Sequence, residues 1–210
     1  MKITVFGATG GTGRQLVEQT LAAGNEVVAY VRNPSKLNIE NEHLTVVQGE
    51  LTDEELIEKA VKRVDAVISL LGPRGGSKNK PLTHGMQNII AAMKKQGVRR
   101  LIISSTLSAK DPNDKRTLRV KFSVNLVKLT MHAAYEDIVS VAETVRNSDL
   151  AWTIVRLNLL NNKPKSGKVK VGYVGSGELG TWISRADIAD FMLNQIQDTK
   201  YVQQAPAISN

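Results

Sequence analysis

The stretch ITVFGATGGTGRQLV, residues 3–17, decides the fold class of the chain. It begins with a short apolar, β-branched run, passes through a cluster of glycines and continues with apolar residues at helical spacing. A strand, a glycine turn and a helix in this order form a cradle for a nucleotide diphosphate, because the first N–H groups of a helix lack partners and lie at the positive end of its dipole. The stretch therefore predicts a dinucleotide site where the first helix begins.

The spacing of the glycines is Gly7-x-x-Gly10-x-x-Gly13, whereas most nicotinamide dehydrogenases have G-x-G-x-x-G. Its place after a predicted strand and before a predicted helix is the context that such a motif requires. The alternative is a plain turn between strand and helix in another kind of α/β protein. Motif and context together favour the dinucleotide site.

The composition suits one folded domain, since 41% of the 210 residues are hydrophobic and 23% are charged. The chain has no cysteine, which excludes disulfides, thiolate metal sites and cysteine nucleophiles. Its three histidines show no metal-binding spacing, so we expect no metal site. We expect no cleavable signal, because a core strand starts at the first residues, and no membrane span, because no apolar run approaches the ~20 residues that a bilayer requires. These features predict a cytoplasmic protein.

The net charge of +8 allows two interpretations. One is a solvated basic surface whose natural anions are phosphate ligands, and the other is a nucleic-acid interface. The basic residues are scattered, and aromatic residues make up only 4% of the chain, too few for a base-stacking platform. We therefore expect no nucleic-acid partner.

Predicted strands and helices alternate along the rest of the chain. The strands are predicted at residues 26–32, 44–49, 65–72, 98–104, 151–157 and 169–174. The helices are predicted at 52–62 from a capping box of Thr52 and Glu55, at 82–96, at 120–147 with a candidate break near His132, and from the capping box of Ser184 and Asp187 to residue 197. Residues 107–118 and 159–167 are predicted to be loops. The alternation predicts an α/β fold, a Rossmann-type doubly wound, mostly parallel sheet in a single domain, residues 1–210, whose small C-terminal part covers the substrate.

The end of the second strand distinguishes NADP from NAD. An acidic residue there accepts a hydrogen bond from the ribose 2′-hydroxyl, and an arginine accommodates a 2′-phosphate. This chain has Arg32 at that place, followed by Ser35 and Lys36. No carboxylate lies between Arg32 and Glu40. A guanidinium, a hydroxyl and an ammonium together suit a phosphate dianion, so NADP is favoured and NAD stays open. A solvated turn is the alternative.

Three further segments follow predicted strands, at the edge where open α/β sheets bind ligands. Residues 49–51 could flank adenine, and the glycine-rich turn 72–76 is placed to touch ribose or pyrophosphate. Ser104, Ser105 and Thr106 offer hydroxyls near the expected nicotinamide. The alternative for each hydroxyl is a cap of backbone groups at the strand end, and it is strongest for Ser105.

Six motifs carry a resemblance to a known family: residues 7–13, Val31-Arg32, residues 65–68, Leu71-Gly72-x-Arg74, the hydroxyl run at Ser104, and residues 152–156. With them the chain resembles the atypical short-chain dehydrogenase/reductases. More narrowly, it is similar to the NAD(P)H-binding group that contains biliverdin reductase B, a flavin reductase, and bacterial NADH-flavin reductases. The resemblance covers essentially the whole chain.

The resemblance implies a Rossmann fold, NADPH or NADH as hydride donor, and a flavin or similar planar acceptor that is a substrate and not a prosthetic group. By position, the residues that would cradle the pyrophosphate are Gly7, Thr9, Gly10, Gly11, Thr12 and Gly13. Those that would meet the 2′-phosphate are Arg32, Ser35 and Lys36; those that would flank adenine are Glu50 and Leu51; those that would pass under the ribose are Leu71, Gly72, Pro73 and Arg74. Near the reacting ring, Thr106 takes the place of a family serine, after Ser104 and Ser105. The place of a family histidine falls in residues 157–159, which contain none.

The Tyr-x-x-x-Lys pair of typical short-chain dehydrogenases is missing, because none of the four tyrosines has a lysine four residues later. Reduction of a carbonyl needs such an acid, whereas hydride transfer to an electron-poor ring can take its proton from solvent. The first hypothesis is therefore an NADPH-preferring reductase of FMN, riboflavin or a quinone-like acceptor, a monomer or weak homodimer. The second is a non-catalytic redox sensor of the NmrA type. A nucleotide-sugar epimerase is disfavoured by the missing pair and by the short C-terminal half.

Overall fold

The computed structural model describes residues 1–73, 79–115 and 117–210, and at 118, 119, 121 and 123 it describes the backbone alone. The strands are β1 (Lys2–Phe6), β2 (Glu26–Val31), β3 (Leu44–Gln48), β4 (Ala66–Ser69), β5 (Arg100–Thr106), β6 (Ala151–Leu157), β7 (Leu159–Asn161), β8 (Lys170–Gly172), β9 (Trp182–Ser184) and β10 (Ala207–Ser209). The helices are α1 (Gly11–Ala22), α2 (Glu54–Val61), α3 (Pro81–Lys95), α4 (Leu118–Thr130), α5 (His132–Arg146) and α6 (Arg185–Asn194).

The main sheet runs in the order β3-β2-β1-β4-β5-β6-β10-β8. Its neighbouring strands are parallel, except that β8 is antiparallel to β10. The order of the first six strands is that of dinucleotide-binding sheets, and it places the topological switch between β1 and β4. Over the described residues, the prediction of a Rossmann-type, doubly wound, mostly parallel sheet in a single α/β domain is confirmed.

The core lies in two layers, because successive side chains of a strand point to opposite faces of the sheet. Ile3 and Val5 of β1 pack with Leu16 of α1 and Ile188 of α6. Phe6 belongs to the opposite cluster, which takes in residues of α2, α3 and α5. The end of β1 is therefore held from both faces, and this fixes the position of the glycine turn that follows it.

A buried ion pair fastens the loop before α4 to the sheet. Arg156 of β6 is fully buried, and its Nη1 and Nη2 donate to the carboxylate of Asp114 at 2.6 and 2.8 Å. Asp114 also accepts from the backbone N–H of Val174 at 3.0 Å. Burial alone would raise the pKa of Asp114, but the hydrogen bonds from Arg156 and from backbone N–H groups outweigh burial and lower that pKa. One carboxylate thus joins three separate segments.

The predicted capping box of Thr52 and Glu55 is wrong. The helix begins at Glu54, Asp53 stands at its N-cap position, and no side chain caps it. Asp53 instead accepts from the backbone N–H of Glu50 at 2.6 Å. The acidic side chain therefore stabilises the turn that leaves β3 and not the helix. In contrast, Ser184 is confirmed as the N-cap of α6, since its Oγ accepts from the N–H of Asp187 at 3.0 Å. The reciprocal bond of the predicted capping box is not made, because the N–H of Ser184 donates to Oδ1 of Asn210 at 2.7 Å.

The C-terminal third contains strands that the sequence did not predict. Residues 159–167 are not wholly a loop, because β7 pairs in parallel with β9. The predicted strand at 169–174 shortens to β8, and β10 at the end of the chain pairs with β6 on one side and β8 on the other. Strands of three residues show no alternation long enough to recognise. The break near His132 is confirmed, since Met131 separates α4 from α5 with a φ of −132°.

Replacing Asp114 by Asn is expected to lower the free energy of unfolding by roughly 3 kcal/mol, because Arg156 is left buried without a counter-charge. Urea denaturation at neutral pH measures the loss. Because the folded-state pKa of Asp114 is lowered, its stabilising effect is complete above the ordinary pKa of about 3.9 and is lost as the pH falls through the folded value. The wild type should therefore lose more stability than Asp114→Asn in that acid range.

The matched control is Asp149→Asn. Asp149 makes an equally short ion pair with Lys94, at 2.6 Å, but the two side chains are 71% and 48% exposed. Exposed pairs contribute about 0–1 kcal/mol. Equal losses in the two variants would contradict the role given to the buried pair.

Candidate functional site

A cleft of about 360 Å³ opens at the carboxyl edge of the main sheet. It is bounded by the glycine turn at 10–13, by residues 69–73 after β4, by 103–106 at the end of β5, and by residues after β6. Side chains of α3 and α5 and the first residue of α6 complete its walls. The cleft thus lies where the strand order reverses, which is where doubly wound sheets bind nucleotides.

The glycine turn has two kinds of glycine. Gly7 has a φ of +83°, and a Cβ on Gly13 would overlap the carbonyl oxygen of Gly7, so both are required by the packing of the turn itself. Gly10 and Gly11 are more open, since a Cβ on Gly10 would meet only the Gly7 oxygen, at 3.4 Å. Gly10, Gly11, Thr12 and Gly13 line the cleft, whereas Gly7 and Thr9 do not.

The start of α1 leaves its N–H groups available to a ligand. Gly10 stands at the N-cap position without a side-chain cap, and the first turn contains no acidic residue. Its N–H groups therefore keep their capacity to bind an anion at the positive end of the helix dipole. A pyrophosphate fits this position, since a Cβ at Gly10 or at Gly11 would narrow the approach.

Residues Arg32, Ser35 and Lys36 are exposed at the end of β2, outside the cleft. Asn33 holds the turn, because its Oδ1 accepts from the N–H and the hydroxyl of Ser35 at 3.1 and 2.7 Å. Arg14 of α1 donates to the carbonyl of Lys36 at 2.6 Å and so ties this turn to the helix that follows the glycines. The side chain of Arg32 makes no hydrogen bond or ion pair with the described residues, so its guanidinium is free to meet a phosphate.

The segment after β3 is fixed through its backbone. The hydroxyl of Tyr30 donates to the carbonyl of Glu50 at 2.7 Å, and Asn88 of α3 donates to the carbonyl of Leu51 at 2.9 Å. Burial, followed by the nearby carboxylates of Asp53 and Glu50, raises the pKa of Tyr30 to about 12. Leu51 also packs against Gly85 of α3, where a Cβ would come within 2.7 Å of it. Glu50 and Leu51 lie outside the cleft, with the side chain of Glu50 exposed.

The three hydroxyls at the end of β5 all line the cleft. Thr106 serves as a local cap, because its Oγ1 accepts from the N–H of Ser108 at 3.2 Å. Ser105 and Ser104 are half-buried, and their hydroxyls make no hydrogen bond with the described residues. The alternative role of capping backbone groups at the strand end therefore applies to Thr106. It does not apply to Ser105, for which that role was expected most strongly.

The structure describes only part of the segment after β4 that was expected to pass under the ribose. Leu71, Gly72 and Pro73 line the cleft. The predicted Arg74 lies outside the described residues.

Arg185, the first residue of α6, is a cleft residue that the sequence did not reveal. Its Cδ and Nε would lie 3.0 Å from a Cβ on Gly11, and its Nη1 donates to Asn162 at 2.6 Å. It brings a positive charge onto the glycine turn. The capping box at Ser184 predicted only that a helix begins here; the packing of α1 against α6, where Gln19 donates to the carbonyl of Ala186 at 3.0 Å, decides where Arg185 lies.

Arg185 is also the only ionisable side chain among the described residues that line the cleft. The remaining lining is apolar or carries hydroxyl and amide groups. The cleft can therefore position a ligand and hold an anion, but its described part offers no carboxylic acid, histidine or tyrosine to move a proton. Nor do the described ranges hold any group of three or more metal-ligating side chains.

A sequence model of a protein family described as NAD(P)H-binding matches residues 7–199. The chain belongs to this family. The expected resemblance to the atypical short-chain dehydrogenase/reductases is confirmed as membership of an NAD(P)H-binding family.

Two curated relatives are similar over most of the chain. An uncharacterized chloroplastic protein of Arabidopsis thaliana is 30% identical over 178 residues, which cover 80% of this chain and 62% of the relative. The (4-alkanoyl-5-oxo-2,5-dihydrofuran-3-yl)methyl phosphate reductase of Streptomyces griseus subsp. griseus is 27% identical over 154 residues, covering 73% of this chain and 46% of the relative. The chain thus spans about half to two thirds of the length of these relatives.

Among solved structures, ChuY from Escherichia coli O157:H7, called an anaerobillin reductase, superposes with a TM-score of 0.80 at 20% identity. The match covers 100% of this chain and 97% of ChuY. At this identity the likeness shows that the two chains share a fold. Among the described residues, no helix is both long enough and apolar enough to cross a membrane.

Replacing Arg185 by Ala is expected to weaken NADH and NADPH binding by the same factor, about tenfold, because a charge-assisted hydrogen bond to the shared pyrophosphate is worth about 1.5 kcal/mol. Fluorescence titration of each dinucleotide measures the two dissociation constants. The control is Lys170→Ala, which removes one exposed charge from the far edge of the sheet. Unchanged affinity in Arg185→Ala, or a loss for NADPH alone, would contradict a place at the pyrophosphate.

Proposed function

We propose that the protein is an NADPH-preferring reductase that passes hydride to free flavin, such as FMN or riboflavin, or to a similar planar acceptor. One observation carries the proposal. A single cleft joins the glycine turn of an NAD(P)H-binding family member to an apolar chamber whose described lining contains no proton-transferring acid. When bound, the nicotinamide dinucleotide supplies the hydride.

The cofactor would be held by backbone and by two cations. The uncapped N–H groups of Gly11, Thr12 and Gly13 suit the pyrophosphate, with Arg185 above them. The preference for NADPH rests on Arg32, whose guanidinium has no partner among the described residues at the end of the strand next to β1. Its turn is already fixed by Asn33 and Arg14, so little conformational entropy would be lost on binding a 2′-phosphate.

The acceptor would lie between apolar walls. Leu82 and Met86 of α3 contribute to one side of the cleft, and Ile138 and Val141 of α5 contribute to another. A flat conjugated ring can bury one face against such side chains while its other face meets the nicotinamide, whereas a sugar would leave its hydroxyls without partners against them.

The chemistry agrees with the residues present. A carbonyl substrate becomes an alkoxide when it receives hydride, and that alkoxide needs an acid within hydrogen-bond reach. A flavin spreads the added charge over its ring system and takes the proton from solvent. Ser105 and Thr106 would act by orienting the acceptor with their hydroxyls, and no step requires them to give up a proton.

The relatives support the reductase class. The names of both the Streptomyces protein and ChuY are those of reductases, although of different substrates. A redox sensor of the NmrA type is the second candidate, and the same lack of an acid in the described lining favours it, because a protein that only binds the dinucleotide needs none.

Steady-state oxidation of NADPH with FMN, riboflavin or menadione as acceptor separates the two functions. The reductase predicts turnover that saturates with the acceptor. The control omits the acceptor. Tight NADPH binding without turnover of any flavin or quinone would overturn the reductase and establish the sensor.

Replacing Arg32 by Ala is expected to raise the KM for NADPH about tenfold and to leave the KM for NADH unchanged, since only NADPH has the phosphate that this charge would meet. Lys170→Ala, at the opposite edge of the sheet, should change neither value. An equal loss for both dinucleotides in Arg32→Ala would exclude the phosphate role.

A further inference from the structure

Asn158 occupies the first position after β6 and lines the cleft. Leu157 pairs with Thr106 in the parallel register of β5 and β6, so the next residue, Asn158, lies beside the end of the hydroxyl run. Asn158 is half-buried. Its side chain therefore belongs to the part of the cleft assigned to the acceptor.

The orientation of its amide is determined by its neighbour. Nδ2 donates to the carbonyl of Gly180 at 2.9 Å. Because a carbonyl oxygen can only accept, the nitrogen of the amide must face Gly180, and this excludes the flipped arrangement. The Oδ1 of Asn158 makes no hydrogen bond with the described residues. The Asn158 side chain can therefore still accept a hydrogen bond from a ligand, through Oδ1.

The partner of Asn158 is itself held firmly. The N–H of Gly180 donates to the hydroxyl of Ser209 at 2.7 Å, and the N–H of Leu159 donates to the carbonyl of Thr181 at 3.1 Å. The N–H of Asn210 donates to the carbonyl of Trp182 at 2.8 Å. Residues at β7 and β10 thus fix the segment 180–182, whose Gly180 carbonyl orients the amide of Asn158. A polar group held in this way can discriminate between ligands at little cost in conformational entropy.

No other polar side chain described in the cleft is limited to accepting hydrogen bonds. Serine and threonine hydroxyls both donate and accept, and Arg185 only donates. The Oδ1 of Asn158 is the only side-chain oxygen of the described lining that can accept but not donate. A site with such an atom favours a ligand with an N–H and penalises an analogue without it, whose binding would leave the oxygen unpaired.

We propose that Asn158 is a specificity-determining residue that accepts a hydrogen bond from the imide N–H of a flavin ring. The inference rests on the proposed reductase function and names its acceptor class. An imide N–H lies between two carbonyl groups. The hydroxyls at the end of β5 can donate hydrogen bonds to the oxygens of these carbonyl groups. Planar acceptors without an N–H, such as quinones, gain nothing from Asn158.

Lumiflavin and 3-methyllumiflavin test the inference, because they differ only in that N–H. The wild type is expected to reduce lumiflavin with a kcat/KM about tenfold higher than that for 3-methyllumiflavin, which is the effect of losing one hydrogen bond to a half-buried acceptor. In Asn158→Ala the two flavins should become equal. The KM for NADPH should stay at its wild-type value, and the turnover of menadione should not fall, because menadione has no N–H to lose a partner.

The control variant is Asn147→Ala, an exposed residue after α5, which should retain the tenfold preference. Equal turnover of the two flavins by the wild type would overturn the inference and leave the reductase function standing, and this comparison needs no variant to fold. A loss in Asn158→Ala that is shared by all acceptors, with a raised KM for NADPH, would place Asn158 at the nicotinamide and also overturn it. A wild type that reduces no flavin and no quinone would contradict the reductase function, and with it the inference.

Discussion

The rest of the structure depends on the close approach of Gly13 to the carbonyl of Gly7. Any side chain at Gly13 would overlap that oxygen, and a Cβ on Gly7, whose φ of +83° is left-handed, would lie 2.8 Å from the Leu70 backbone. This contact belongs to the tight turn at residues 7–10, through which the chain passes from β1 into α1 at the point where the strand order reverses. The same contact leaves the first N–H groups of α1 directed at the cleft without a side-chain cap. A steric constraint on two glycines thus leaves the start of α1 open to an anion.

The electrostatics of the site follow from this placement. Positive charge is found at the turn, through the helix dipole and Arg185, and at the end of β2, through Arg32. The described lining between α3 and α5 is otherwise free of ionisable groups. In the proposed reaction, phosphates would thus be attracted to one end, whereas the reacting rings would lie in surroundings that bind by shape and by a few fixed hydrogen bonds. This division suits a reaction in which the cofactor carries the chemistry and the protein controls its geometry.

The sequence predicted the parts of the cleft that lie in one continuous segment. Most of the glycine turn and the hydroxyls after β5 line the cleft, and each follows a strand with a recognisable pattern, because parallel strands bring their carboxyl ends to the same edge. It did not predict Arg185 or the fixed amide of Asn158, because both depend on contacts between segments far apart in the chain. The three-residue strands β7, β9 and β10 are too short to show a period. The error at Thr52 has a local cause, since Asp53 stabilises the preceding turn instead.

A crystal structure of the protein with NADPH tests the central claim most directly. The account predicts the pyrophosphate on the N–H groups of Gly11, Thr12 and Gly13, the 2′-phosphate at Arg32, and the nicotinamide beside Ser105 within the cleft. A dinucleotide bound elsewhere, or a pyrophosphate that does not contact the start of α1, would contradict it.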